Sequence, residues 1–463
     1  MKVYFVGIKG VAMSALAIIL KKMEYEVFGS DVAEVFITDE ELLKNNIKID
    51  IGFDPSHINS NIDFLIYSGA NGGIENQQVK KALKLGIKIY SQAQYIGKLI
   101  KEFETSIAIT GSHGKTTTSS LLAYCLIKLG GNPSYMIGSS SFNNFLGGDF
   151  KSKKYFVFEA DEYAVDPPRD KTIKLEHYFP DYSVITNIDF DHPDVYTDIN
   201  HVKKIFLKFI TNSKKVYLCI DDENSKSLLS SINKKVTSFG YSNEADFTIQ
   251  EYNADLSGST FIINKQNKTI GEFKTKLYGE KNISNIVGVI ALLIDLGYGI
   301  ESIKDAIKDF KGAKRRFELI FEKNDTFLYD DYAHHPSEIE ATLKAAKNIF
   351  KNKRIIVIFQ SHTFSRTQTF LKGFATSLSL ADKIYVMPIF SSARENKEDF
   401  NVSAQSIVDM ADNSTDILAL SNKKELILEL NKNLRQGDVI FTMGAGYLNN
   451  YSADIIGVIK NLK

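Results

Sequence analysis

Tryptophan is absent from the 463 residues, and cysteine occurs only twice. Cys125 and Cys219 each lie inside an apolar run and form no Cys-x-x-Cys pair. That spacing argues against a disulfide frame or a thiolate zinc site and for two reduced core thiols. Excess charge is missing too: 56 Lys and Arg balance 56 Asp and Glu. A dedicated nucleic-acid binder would carry a basic surplus, so no nucleic-acid partner is expected. An anionic substrate must then be held by local groups rather than by a global field. Nor does any stretch approach the ~18 consecutive apolar residues that a membrane span requires. The opening MKVYFVGIKG lacks the basic region and long apolar run of a signal peptide. The expected setting is the cytoplasm, with no membrane partner. The aromatic residues are 31 Phe and 22 Tyr, a composition suited to packed cores rather than to a base-stacking platform.

What is present is ordinary globular material, 44% apolar and 24% charged. A chain of this length is expected to form about three domains. Val3–Gly7 is a short apolar run ending in glycine, followed by a helical pattern over Val11–Lys22. Strand, glycine turn and helix open a doubly wound nucleotide-type unit. Further short strands at Glu26–Ser30, Asp63–Ser68 and Lys88–Tyr90 continue a βαβ rhythm, which implies a parallel sheet with helices on both faces. A fresh strand at Ile107–Ile109 opens a second unit. It continues through Tyr155–Phe158, Tyr182–Thr186, a strand-rich stretch at Asp246–Leu277, and helices at Ile283–Gly297 and Ile300–Phe310. After Lys311–Gly312 a third series runs through Phe327–Tyr329, Arg354–Phe359, Lys383–Met387 and Val439–Met443. The expected fold class is three consecutive α/β domains, at 1–103, 104–312 and 313–463.

The most informative stretch is Thr110-Gly111-Ser112-His113-Gly114-Lys115-Thr116-Thr117-Thr118, between an apolar strand and a helix. Glycines let backbone N–H groups turn inward around phosphate oxygens, and a helix N-terminus adds a favourable dipole. Lys115 can reach the β- and γ-phosphates of ATP, and the Thr116 hydroxyl can ligate Mg²⁺. The usual loop carries glycine where Ile109 stands, so this is a shortened form. Acidic partners follow: Glu159-Ala160-Asp161-Glu162 at the end of one strand, and Asn187-Ile188-Asp189-Phe190-Asp191-His192 at the end of the next. Carboxylates are hard oxygen donors for Mg²⁺, and His192 is available as a further ligand or phosphate contact.

Six motifs in order, residues 111–118, 159–162, 186–192, Gly279-Glu280-Lys281-Asn282-Ile283-Ser284-Asn285, Arg315-Arg316-Phe317 and Asp330-Asp331-Tyr332-Ala333-His334-His335-Pro336, resemble the Mur ligases over nearly the whole chain. The resemblance implies a Rossmann-like N-terminal domain for the UDP substrate, a central P-loop ATPase domain and a Rossmann-like C-terminal domain that closes and holds the amino acid. It implies an acid–amino-acid ligase that phosphorylates a carboxylate with ATP and lets an amine attack the acyl-phosphate. Carried over residue by residue, it implies catalytic roles for Lys115, Glu159, His192, Arg316 and His334. Thr116, Glu159 and His192 would surround magnesium. Gly111, Ser112, His113, Gly114, Lys115, Thr116 and Thr117 would cradle the phosphates, Asn282 and Asn285 would serve the adenine, and Arg316 and Asp331 would reach the nucleotide. The opening turn Gly7, Lys9, Gly10, Met13 and Ser14, with the strand ends Asp31 and Ser68, would hold the UDP substrate. His362 and Arg366 would meet the incoming amino acid.

Within the family the resemblance is strongest to members that join L-alanine to UDP-N-acetylmuramate, acting as a monomer or weak homodimer. Departures exist. Lys9 and Ala12 replace glycines, Thr363 stands where a second Arg is usual, and Tyr447 stands where Asp is usual. Glu162-Tyr163 and Lys174-x-x-His177-Tyr178-x-Pro180 look more like the members that attach a whole murein tripeptide. Two further readings stay open at this point. The opening turn with Asp31 suits a dinucleotide-dependent oxidoreductase, which leaves the Lys115 loop without a task. A regulatory ATP- or UDP-sugar-binding protein would have no need of Lys115, Glu159, His192 and Arg316 together.

Overall fold

In the computed structural model, residues 1–167, 169–391, 395 and 397–462 are described. They divide into two compact units, one of residues 1–251, 261–275 and 284–313, the other of 252–260, 276–283 and 314–463. The strands are β1 (Lys2–Val6), β2 (Glu26–Asp31), β3 (Lys48–Ile51), β4 (Phe64–Tyr67), β5 (Lys88–Ser91), β6 (Thr105–Thr110), β7 (Ser134–Phe142), β8 (Phe145–Asp149), β9 (Tyr155–Glu159), β10 (Ala164–Asp166), β11 (Asp170–Ile173), β12 (Tyr182–Ile185), β13 (Lys215–Cys219), β14 (Thr237–Gly240), β15 (Phe247–Asp255), β16 (Gly258–Lys265), β17 (Lys268–Thr275), β18 (Glu318–Lys323), β19 (Thr326–Asp331), β20 (Ile355–His362), β21 (Lys383–Phe390), β22 (Ile417–Ala419) and β23 (Val439–Met443).

The first sheet is parallel, in the order β3-β2-β1-β4-β5. Its strand order reverses between β1 and β4, and open α/β sheets put ligands outside the carboxyl ends of strands at such a switch point. Gly7 and the Val11–Lys22 helix leave β1 there. The central sheet has ten strands, ordered β17-β16-β15-β14-β13-β12-β6-β9-β7-β8. Here β6 lies between β12 and β9, and both neighbours are parallel to it. The acidic clusters that follow β9 and β12 therefore emerge on either side of the loop that follows β6. The third sheet runs β18-β19-β23-β20-β21-β22, with only β18 antiparallel.

The expected helix over Val11–Lys22 and the strands at the heads of each series stand where the apolar runs put them. The hairpins β7–β8 and β10–β11 and the strands β3, β13, β14, β18 and β22 were not foreseen. Residues expected as two domains, 1–103 and 104–312, share an apolar core. Leu16, Ile19, Ile66 and Phe103 are in one buried cluster with Phe156, Phe158 and Phe206. The Val11–Lys22 helix lies against β7 and β8, and a Cβ on Gly148 would come within 2.6 Å of the Ala15 Cα. Cys125 and Cys219 are free and buried, as read from the sequence. No helix among the described residues is long and apolar enough to cross a membrane.

Candidate functional site

The phosphate-loop region is fixed by the segment that follows β12. Ser112 donates from Oγ to the Asp189 carbonyl at 3.0 Å and accepts from the Asp189 N–H at 2.8 Å. The His113 N–H donates to Asn187 Oδ1 at 3.0 Å, while Asn187 Nδ2 and Thr186 Oγ1 both donate to the His113 carbonyl. The Ser112 and His113 N–H groups are thus committed to Asn187. The surface left for phosphate starts at Gly114, where the helix Lys115–Lys128 begins and its first-turn N–H groups have no intrahelical acceptor. Gly111 (φ +135°) and Gly114 (φ +82°) sit where L side chains are strained, and a Cβ on Gly114 would meet Asn285 Nδ2 at 2.5 Å. Glycine is required at both positions on both grounds.

Lys115 folds back over this turn. Its Nζ donates to the Gly111 carbonyl at 2.7 Å, to the Ser112 carbonyl at 3.2 Å and to Glu162 Oε2 at 2.6 Å. Burial pushes the ammonium down, but the carboxylates of Glu162, Asp161 and Glu159 outweigh it and raise the pKa. Lys115 is therefore held as a cation. Burial alone would raise Asp161, yet Lys174 at 2.6 Å and Lys115 hold it well below the usual carboxylate range. Glu159, at the end of β9, accepts from Thr116 Oγ1 at 3.3 Å, from Ser119 Oγ at 3.1 Å and from the Gly138 N–H at 2.7 Å. Hydroxyl and carboxylate face one another, an all-oxygen donor set of the kind Mg²⁺ accepts. His192 (φ +58°) places Nε2 3.5 Å from Glu162 Oε1, and its ring lies 4.4 Å from that of Tyr163. Glu162 joins Lys115 to His192.

Of the residues singled out from the sequence, the structure brings Thr116 to Glu159 directly and sets Lys115 and His192 on either side of Glu162. Sequence reasoning did not single out Glu162, Ser119, Gly138 or Asn187. Glu162 could have been found, since it shares the acidic cluster with Glu159. The contributions of Gly138 and Ser119 depend on packing of β7 and the helix against β9, which no local spacing records.

At the opening turn, Gly7 (φ +81°) leaves room for Ser68, whose Cβ a side chain there would meet at 3.0 Å. The Lys9 N–H donates to Asp31 Oδ2 at 2.7 Å. Its ammonium, however, is buried and donates to the carbonyls of Val32 and Glu34 and pairs with Asp39 at 3.2 Å. Lys9 pins the loop after β2 and is not the solvated turn residue its polar type suggests. Gly10 caps the helix, while Met13 and Ser14 are buried within it.

In the second unit, Arg315 pairs with Asp330 at 2.9 Å and donates to the carbonyls of Gly444 and Gly446. The Arg316 guanidinium lies 4.9 Å from the centre of the Tyr332 ring. His334 Nδ1 is 3.0 Å from the Tyr332 carbonyl and 3.3 Å from Glu338. Asn282 donates to the Tyr278 carbonyl at 2.8 Å. His362 stacks on Phe390, and Arg366 is buried in the short helix Phe364–Thr369.

Asp331 accepts from the N–H groups of Phe317 and Ala333 and from Thr342 Oγ1. Burial raises its pKa to about 6, with Arg316 pulling the other way. The unfolded chain would release this proton near pH ~4. The folded state binds the extra proton, so this group's stabilisation is present at pH ~4 and is lost as pH rises through about 6. Asp331→Asn should therefore gain stability relative to the parent across that window, by on the order of 2–3 kcal/mol. Thermal midpoints of both proteins measured from pH 4 to 7 check it; a gap that stays constant with pH would refute the assignment.

Family models match three consecutive segments: "Mur ligase family, catalytic domain" over residues 2–104, "Mur ligase middle domain" over 109–293, and "Mur ligase, glutamate ligase domain" over 315–446. A UDP-N-acetylmuramate–L-alanine ligase of Caldicellulosiruptor bescii is 36% identical over 455 residues, covering 97% of this chain and 96% of that protein. One of the same name from Ligilactobacillus salivarius is 37% identical over 463 residues, covering 99% and 97%. Among solved structures, the UDP-N-acetylmuramate-alanine ligase of Thermotoga maritima superposes with a TM-score of 0.82 at 26% identity, covering 99% of each chain. A murein peptide ligase of Psychrobacter arcticus has a TM-score of 0.73 at 23% identity, covering 100% of this chain and 99% of that one, and shares the fold.

Proposed function

The chain belongs to the Mur ligase family, and on that premise we propose that it joins the carboxylate of UDP-N-acetylmuramate to the amine of L-alanine, with ATP, in building the peptide stem of peptidoglycan. The observation that carries this reading is the junction of Lys115, Thr116, Glu159 and Glu162 on one glycine turn between β6 and its helix, in a chain 36–37% identical end to end to ligases of that name.

A carboxylate is a poor electrophile because its oxygen is a poor leaving group. Transfer of the γ-phosphoryl group to that oxygen, with ADP departing, gives an acyl-phosphate. The amine then adds to the acyl carbon, and the tetrahedral adduct expels phosphate and leaves the amide. Phosphoryl transfer depends on positioned positive charge more than on covalent catalysis. Lys115 supplies a fixed cation at the turn, already desolvated and already charged. A triphosphate entering the turn would replace the Gly111 and Ser112 carbonyls as its partners. Thr116 and Glu159 would hold Mg²⁺, which when bound neutralises phosphate charge. His192 would stand beside them through Glu162. Asn285 shapes the turn at Gly114, and Asn282, Arg316, Asp331 and His334 are assigned to the nucleotide and the reacting groups. The Gly7–Gly10 turn with Asp31 and Ser68 is assigned to the UDP substrate, and His362 and Arg366 to the amino acid, whose carboxylate an arginine can grip in bidentate fashion. The assigned division of labour follows three domains at 1–103, 104–312 and 313–463.

The tripeptide-adding reading is supported by the sequence of the β10–β11 region alone, whereas full-length identity favours single L-alanine. Purified protein given ATP, UDP-N-acetylmuramate and a mixture of L-amino acids and murein tripeptide should yield a product heavier than the sugar nucleotide by one alanyl residue. A tripeptide adduct as the main mass would overturn that choice. Turnover of NADH without any response to ATP would restore the oxidoreductase reading.

A further inference from the structure

The hairpin β10–β11 begins two residues after Glu162, so its root is the acidic cluster at the phosphate loop. Its far end reaches the loop that follows β4. There Asp166, only 1% exposed, accepts from the Ile74 N–H at 3.1 Å and from Arg169, whose Nε lies 3.1 and 3.0 Å from the two carboxylate oxygens and whose Nη2 lies 2.7 Å from Oδ1. The same Nη2 donates to the Gly69 carbonyl at 3.2 Å. The loop is cut to receive this pair. A Cβ on Gly73 (φ +51°) would overlap the Asp166 carboxylate, and one on Gly69 would overlap the Val165 carbonyl. On its other side the loop faces the opening turn: Ser68 lies against Gly7, and Asn71 Nδ2 is 3.5 Å from Asp31 Oδ1.

We propose that Asp166 and Arg169 are positioning residues for the sugar-nucleotide substrate, locking residues 69–74 so that the turn at Gly7 and Asp31 is held in register with the phosphate loop. The inference rests on the functional reading above and extends it to residues outside the phosphate loop and the opening turn. A buried carboxylate that binds both a backbone N–H and a guanidinium has no slack, because each lost contact leaves a desolvated polar group behind. The loop can therefore adopt only one position relative to β9 and Glu162.

Steady-state kinetics on the full chain tests this. Asp166→Asn keeps the volume but loses the charge that holds Arg169. It should raise KM for UDP-N-acetylmuramate by on the order of tenfold, while KM for ATP and kcat stay within about twofold. Gly73→Ala disturbs the same contact from the loop side and should reproduce the effect. The double variant should be no worse than the poorer single variant, since both break one contact. Equal KM values for parent and variants, or a loss spread equally over kcat and both KM values, would overturn the proposal. Absence of activity in the parent protein would instead strike the functional reading itself.

Discussion

Lys115→Ala is expected to lower ATP-dependent phosphate release by on the order of 10³, measured with UDP-N-acetylmuramate and L-alanine at saturating concentrations. The size follows from where the cation is kept. Lys115 has already left water, and Glu162 and the two loop carbonyls hold it over the turn. A triphosphate there meets a charge that needs no reorganisation, which is the condition under which one group is worth most to a developing charge. Arginine should not rescue the loss, because its planar fork cannot follow the four-carbon reach of an ammonium into this turn. The substitution also leaves Glu162, whose side chain is 3% exposed, without its nearest cation. Breaking a buried pair is destabilising by roughly 3–5 kcal/mol. The variant should therefore unfold at a lower temperature than the parent. The double variant K115A/E162Q separates the two effects. Removing the orphaned charge should restore much of the stability, and turnover should stay lost. Recovery of turnover in the double variant would show that the single variant had failed through its fold alone.

The parts of the fold that could be read from the sequence are those where one signal decides the outcome. The apolar runs that became β1, β6, β9, β19 and β23 are buried on both faces, and parallel strands of that kind read as continuous hydrophobic stretches. The helix Val11–Lys22 shows eight buried residues in succession, from Met13 to Leu20. The strand Lys48–Ile51 carries an exposed residue at each end and lies at the edge of its sheet. Its pattern is too short and too polar to stand out. The hairpin Ser134–Asp149 contains three glycines and a run of serines, which read as loop. It forms because its residues pair with β9 and pack under the Val11–Lys22 helix.

The site divides in the same way. A phosphate loop is contiguous in sequence, so Gly111, Gly114, Lys115 and Thr116 were legible together. Glu162 was visible as an acid but not as the partner of Lys115, because that choice depends on how the chain leaves β9. Lys9 shows the reverse error. Its polar type at a glycine turn suggests solvent or phosphate, but the loop Val32–Asp39 folds over it and supplies two carbonyls and a carboxylate. A side chain's neighbours 23–30 positions away are not written in its own neighbourhood.

Glu159→Gln should cost on the order of 10²–10³ in kcat with little change in stability. Three donors converge on the parent carboxylate. The Gly138 N–H and Ser119 Oγ meet Oε1, and Thr116 Oγ1 meets Oε2. In the glutamine variant the two donors at Oε1 select the amide oxygen for that side, because an NH₂ there would face them with no acceptor. The NH₂ must then point at Thr116, whose hydroxyl can turn to accept from it. Packing and hydrogen bonding survive, so the thermal midpoint should stay within a few degrees of the parent's. What changes is the atom presented beside Thr116, a donor where a hard cation needs an oxygen lone pair. The variant should thus need far more Mg²⁺ for half-maximal turnover, and EDTA should abolish turnover in the parent. Turnover measured across a Mg²⁺ series decides the matter: a variant with reduced kcat but the parent's Mg²⁺ midpoint would remove Glu159 from the metal site and leave it as a brace for the helix that carries Lys115.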